Sequence, residues 1–295
     1  MTPIYTDSCL AFQIEGQDIK GRIIRLDNCL NDVLDKHDYP EGVKSELGQA
    51  MAIAALLGSM MKYDGILTLQ LKSDGIIKSL VSDYSTDGNG TGVVRGYVGL
   101  AAKEKSEDKT PLLGDGQLMI TMDQGQYMDR YQGIVKLTNN SLKDSAEEYF
   151  HTSEQLPTHL VVRCDKGPDG RLRAAAIMIQ HLARGSTVEA PEESQTQDHW
   201  NTATILLSSV KDAELLDDKL SLQDLLLRLY HESGVRVFTT TEMTTGCRCS
   251  EKKLRAVLSS FSMDELKDCA EDGIITMTCE FCSTDHKFEL KKLIH

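Results

Sequence analysis

The stretch TGCRCSEKKL, residues 245–254, places Cys247 and Cys249 on either side of one arginine, and TCEFCSTD, residues 278–285, places Cys279 and Cys282 two residues apart. The pattern is CxC, 29 intervening residues, then CxxC. How these four sulfurs are used decides how the carboxyl-terminal part of the chain folds. Between Gly234 and His295 the periodicity supports two short helices and one hairpin, too little apolar surface to fold without a staple. A zinc ion supplies one. It prefers four soft ligands in a tetrahedron, and a close thiolate pair from each of two loops closes the site with no open position. The expected ligands are Cys247, Cys249, Cys279 and Cys282, around one Zn2+ per chain.

Local signals fit this arrangement. Ser250 is placed to cap EKKLRAVLSSF, whose Leu254, Val257, Leu258 and Phe261 share a helical face, and Ser262 with Glu265 forms a capping box for MDELKDCAED. Gly273 ends that helix, and IITMTCEFCSTDHKFEL reads as a hairpin with the second thiol pair near its tip. Cys269 and His286 are spare candidate ligands, each more simply explained by packing. Spacing alone favours a passive structural knuckle. Residues two or three apart can nevertheless reach the Cα separation a disulfide needs, and a sulfur in a disulfide is no ligand. Oxidation would therefore expel the metal and unfold the tail.

Upstream, from Phe12 to Leu182, short strands alternate with Gly and Asp turns and two clear helices, an α/β or α+β pattern. The strand candidates are FQIEG, ILTLQLK at 66–72, IIKSLVSDYS, QLMITMD at 117–123, RYQGIVKL at 130–137, HLVVRC at 159–164 and LRAAAIMIQ at 172–180, the last two joined by the turn KGPDG. Hairpin spacing dominates, which predicts a largely antiparallel sheet. One helix follows HDYP, residues 37–40, with Pro40 in its opening turn and Val43, Leu47, Ala50, Met51 and Ala54 in one stripe. The other lies in SLKDSAEEYFHTSEQLP and must end before Pro157.

Residues 183–198 hold almost no large apolar groups, and from Ala183 to Leu220 there are eight acidic against three basic residues, a linker entering a charged helical segment. Ser221 then opens a helix whose Leu222, Leu225, Leu226 and Leu229 repeat at i, i+3, i+4 and i+7, and Gly234 stops it. The division expected is a core at 1–182, an acidic linker and helical segment at 183–233, and a zinc-binding tail at 234–295.

The net charge of −13 repels phosphate backbones and anionic lipid, so nucleic-acid and membrane partners are not expected. The amino terminus lacks a secretory pattern, and AMAIAALLGSMM, residues 50–61, is too short to cross a bilayer, which points to the cytosol. There, clustered cysteines call for metal or redox roles, whereas Cys9, Cys29 and Cys164 read as small buried hydrophobes. DGNGTG, residues 87–92, leads into a strand and reads as a turn rather than a phosphate cradle. His151, His159 and His181 have no recognisable nucleophile spacing, so no enzyme is expected.

CRC and CEFC, together with HDYP and its Ala-rich helix, KYDGILTLQLKSDG, DRYQGIV, EYFHTSEQLPT and LLLRLYHE in that order, make the chain resemble the heat-shock protein 33 family of redox-regulated chaperones nearly end to end. The resemblance implies an α/β core, a metastable helical linker and a zinc domain. It further implies that the reduced, zinc-bound form is a weak chaperone. Oxidation would pair Cys247 with Cys249 and Cys279 with Cys282, release zinc, loosen the linker and yield a homodimer that holds unfolding client proteins without ATP. Cys269 departs from the four-cysteine pattern and leaves a mixed disulfide open. Two other readings stand beside this one. A zinc-ribbon adaptor for a protein or nucleic acid is opposed, in its nucleic-acid form, by eleven acidic against nine basic residues from Glu232 to His295. A thiol oxidoreductase using CEFC would need that motif to open a helix rather than sit on a hairpin.

Overall fold

The computed structural model describes residues 7–61, 64–101, 110–124, 129–167, 169–181 and 193–293. The chain opens with strands β1 (Ser8–Ile14) and β2 (Ile19–Leu26) and helices α1 (Asn28–Leu34) and α2 (Glu41–Gly58). Five strands follow, β3 (Ile66–Ser73), β4 (Ile77–Thr86), β5 (Gly92–Leu100), β6 (Gly116–Asp123) and β7 (Tyr131–Lys136), then α3 (Leu142–Thr152), β8 (Thr158–Lys166) and β9 (Leu172–His181). Helices α4 (Glu193–Ser208), α5 (Asp212–Leu215) and α6 (Leu222–Tyr230) lead into β10 (Val235–Thr245). The tail comprises α7 (Glu251–Leu258), α8 (Met263–Asp268), β11 (Ile274–Thr278), β12 (Asp285–Glu289) and a closing 3-10 turn.

Ten strands form one sheet in the order β7-β6-β3-β4-β5-β10-β1-β2-β9-β8. Every neighbouring pair is antiparallel except β10 and β5, in line with the hairpin spacing of the sequence. The two faces of its second half bury different partners. Along β9, Ala174, Ala176 and Met178 pack with α1 and α2 in one apolar cluster, while Ala175, Ile177 and Ile179 pack with Leu207, Leu215, Leu225 and Leu226 of α4–α6 in another. A strand covered on both sides reads as a continuous apolar run, which is why LRAAAIMIQ shows no polar alternation. Helix α2 is likewise buried almost all round, from Ala50 to Gly58 without interruption.

Several local readings are corrected. Val235–Thr245, read with the cysteine-bearing tail, lies inside the main sheet: Ser8 to Ile14 pair along it on one side, and Met243–Thr245 pair with Gly92–Val94 on the other. Its sequence, VRVFTTTEMTT, has strand composition but alternates poorly, because most of its side chains are exposed and its place is set by neighbours distant in sequence. Helix α1 was hidden by its brevity. Within the stretch read as linker, residues 193–198 are already helical, and 183–192 lie outside the described residues, as does Pro168 of the KGPDG turn. Pro40 caps α2 with an extended backbone instead of forming its first turn. On α7 only Leu258 is buried and Leu254 packs beside it, whereas Val257 and Phe261 face solvent.

Candidate metal centre

The four cysteines are positioned by the ends of strands and the turns that follow them. Cys247 follows β10 after a single glycine, so the end of a central strand aims the first pair. Ser250 then caps α7 by accepting from the Lys253 N–H, and the Lys253 ammonium donates to the Arg248 carbonyl at 3.0 Å, closing the CRC turn. Cys279 leaves β11; its N–H donates to the Thr284 carbonyl at 3.0 Å, and the Ser283 N–H donates back to its carbonyl at 2.8 Å. That tight turn needs a positive φ, here 52° at Ser283. The capping box of Ser262 and Glu265 on α8 and the positive φ of Gly273 before β11 are both present.

These elements bring the four sulfurs within 4.8 Å of one another, a group able to hold a metal ion. Cys247 Sγ lies 3.6 Å from Cys279 Sγ, and Cys249 Sγ lies 3.7 Å from Cys282 Sγ. A tetrahedron with zinc–sulfur bonds of about 2.3 Å has edges of about 3.8 Å, so these two approaches are compatible with that ion. Both of these approaches run between the two stretches. Protons are unevenly shared in this crowd. The Cys249 thiol is pushed up to about 12 by its hydrogen bond with the Cys247 sulfur, by burial and by the Cys282 and Cys279 sulfurs. Cys282 is held down to about 6: burial opposes this, but hydrogen bonds from Thr284, whose hydroxyl lies 3.3 Å away, and from the neighbouring sulfurs outweigh it. Four sulfurs this close repel one another as thiolates, and a divalent cation at their centre would offset that repulsion.

The remaining sequence candidates lie elsewhere. Cys269 is exposed at the carboxyl end of α8, and His286 sits on β12 opposite Met277; neither joins the cluster. Cys9 and Cys29 are buried, and burial pushes both thiols up; Cys164, on β8, is pushed up to about 12 for the same reason. They are packing residues. Asp87 in the DGNGTG loop accepts from the Asn89 and Thr91 N–H groups, a turn with no phosphate cradle.

Two arrangements escaped sequence reading. Arg25, fully buried on β2, donates to the carbonyls of Glu214, Leu215 and Leu220, pinning α5 to the sheet. Acidic residues of the same segment meet core arginines, Asp212 with Arg163 at 2.6 Å and Asp218 with Arg173 at 3.3 Å. His159 bridges Glu147 (3.0 Å) and Ser208 (2.8 Å), an order of groups that resembles a hydrolytic triad. Ser208, however, closes α4, where the helix presents carbonyls and not the N–H groups an oxyanion needs. The bridge ties the linker helix to the core. No helix among the described residues is long and apolar enough to cross a membrane.

The family model described as Hsp33 protein matches residues 7–289. This chain belongs to the Hsp33 family. Among curated Hsp33 relatives, the 33 kDa chaperonin of Caulobacter vibrioides is 38% identical, with 98% of this chain and 96% of that one covered. The 33 kDa chaperonin of Shewanella denitrificans is 32% identical over 94% and 90% of the two chains, and that of Escherichia coli 30% over 96% and 92%. The crystal structure of the Hsp33 homologue from Thermotoga maritima superposes with a TM-score of 0.79 over 97% of each chain, at 21% identity, which shows a common fold. Hsp33 membership supports a chaperone function for this chain.

Proposed function

We propose that this protein is a redox-regulated, ATP-independent holdase of the cytosol whose switch is the cluster of Cys247, Cys249, Cys279 and Cys282. One observation carries the reading: four thiol groups from two separate stretches converge within 4.8 Å in a module whose apolar cluster holds, among the described residues, only four buried ones. In the reduced state these cysteines hold one Zn2+, which supplies the cross-link that the small module lacks. Each pair can surrender two electrons to a peroxide: two thiolates and one peroxide become one disulfide and two hydroxides. The pairs that close are Cys247 with Cys249 and Cys279 with Cys282, as the family resemblance implies and as their spacings of two and three residues allow. With its sulfurs consumed the module cannot keep the metal and unfolds.

The parts of the molecule are a core at 1–182, a linker at 183–233 and a tail at 234–295, of which β10 belongs to the core sheet and the residues after it form the switch. Unfolding of the switch loosens the linker, whose helices α4–α6 cover the apolar face formed by Leu10, Phe12, Ile23, Ile177 and Ile179. Exposed apolar surface of that kind binds unfolding client proteins and favours a homodimer. Catalysis, nucleic acid and membrane have no part in this scheme. The test follows zinc release, free thiols and aggregation of a heat-unfolded client together while peroxide is added with mild heating. One zinc is expected to leave per chain as client protection rises. Metal loss without a gain in protection would refute the switch, and peptide mapping that joined Cys247 to Cys279 would refute the pairing.

A further inference from the structure

The residues between the paired cysteines are themselves contacts to the core. Arg248, inside CRC, donates through Nη2 to the Asp83 carboxylate on β4 at 2.5 Å. Asp83 is only 6% exposed at its side chain and also accepts from Arg95 at 2.6 and 2.9 Å and from the Thr68 hydroxyl at 2.8 Å. Phe281, inside CEFC, lies under the Arg95 guanidinium at 3.7 Å and meets the Tyr97 ring edge-on at 4.8 Å. Beside it the Ser283 hydroxyl donates to the Lys36 carbonyl at 2.8 Å. Asp83 and Arg95 face each other across the β4–β5 pair, so both spacer side chains land on one patch of the sheet.

We infer that Arg248 and Phe281 form a two-point latch, with Asp83, Arg95 and Tyr97 as its receptor, that holds the switch module on the core and loosens when the two cysteine stretches are no longer tied to each other. The inference rests on the switch proposed above and names what that switch lets go. Each contact alone is weak, an ion pair and a cation–π contact on a partly exposed surface. Together they act as one bivalent ligand, and linkage of two such contacts strengthens binding by about 10²–10⁴ over either alone. The linkage is the sulfur cage, whose close approaches of 3.6 and 3.7 Å both run from one stretch to the other. Disulfides within CRC and within CEFC do not join the stretches, so oxidation removes the linkage while leaving both spacer residues in place. Release leaves no stranded charge, because Asp83 keeps Arg95.

Arginine-specific labelling of the full-length reduced protein, mapped by mass spectrometry, tests this without reference to client protection. Stripping the metal with a chelator is expected to raise the labelling rate of Arg248 by roughly a hundred-fold, through loss of the linkage. Phe281→Ala keeps every thiol, and with one zinc per chain still bound it is expected to raise Arg248 labelling by roughly ten-fold, because the second point of the latch is gone. Tyr97→Leu makes the same test from the receptor side, clear of the cysteine loops. Arg248 remaining protected after the metal is removed, or labelled at the wild-type rate in both variants, would overturn the latch. Normal latch release in oxidised wild-type protein without any gain in client protection would overturn the holdase reading instead.

Discussion

The core and the switch module are built from the same local signals and differ in what holds them. In the core, capped helices and strands converge on two apolar clusters, one on each face of a ten-stranded sheet. In the module, two capped helices and a hairpin meet around Leu258, Leu266, Ile275 and Phe288. Caps and turns specify where a helix starts; they contribute about 1 kcal/mol each and cannot replace a buried face. The contrast teaches that a segment with correct local structure can still bury too little apolar surface to be held by packing alone, which is what the proposed switch would exploit.

The largest effect expected from breaking this contrast follows metal removal or Cys279→Ser. A structural zinc contributes about 10–16 kcal/mol, so amide-exchange protection should vanish in α7, α8, β11 and β12 and persist in strands β1–β9. A tail that stayed protected without metal would place the module with the core. Next come deletions within each cluster. Phe288→Ala should cost the module about 3–5 kcal/mol, read as weaker zinc retention against a chelator, because folding and binding are linked there. Leu226→Ala, on the linker helix, should cost about 2–5 kcal/mol, read instead in thermal unfolding of the linker and core with zinc retention unchanged.

A smaller effect separates the regions by pH. Burial raises the Glu46 carboxyl on α2 to about 7. Between its ordinary value near 4.5 and 7 the folded state holds a proton that the unfolded chain has lost, so core stability falls as pH rises through that window. Glu46→Gln should flatten this dependence and stabilise the core at pH 8 by roughly 1–3 kcal/mol, with no change in zinc retention. The smallest comparison pairs two caps. Ser141→Ala on α3 and Ser262→Ala on α8 each remove an N-cap worth about 1 kcal/mol. The first should lower the melting point of the core, and the second should speed zinc release from the module. Equal effects of both on the same transition would show that the regions unfold as one.

Most of the strands and the helices α2, α3 and α6 were legible from the sequence, because periodicity, turn residues and caps act within a few residues. The four cysteines were legible because two closely spaced pairs in one short tail have few chemical explanations. Strand β10 was not, since five consecutive side chains from Arg236 to Thr240, Val237 and Phe238 among them, are exposed, and only pairing with β1 and β5 defines it. Arg25 was not, because an arginine in an apolar run gives no sign that three carbonyls some 190 residues away will receive it. The face of α7 was over-read: apolar spacing predicts which side chains point together, and cluster size decides how many are covered.

By itself the sequence determined the identity and spacing of the four thiols, the positions of the helix caps and the antiparallel character of the sheet. These are properties of neighbours along the chain, where bond geometry and side-chain type leave few alternatives. The tertiary structure decided that the thiol pairs approach across stretches, that their spacer residues reach Asp83, Arg95 and Tyr97, and that a late strand completes the middle of the sheet. Those contacts join residues far apart in sequence, and only the shared burial of many side chains fixes which distant partners meet.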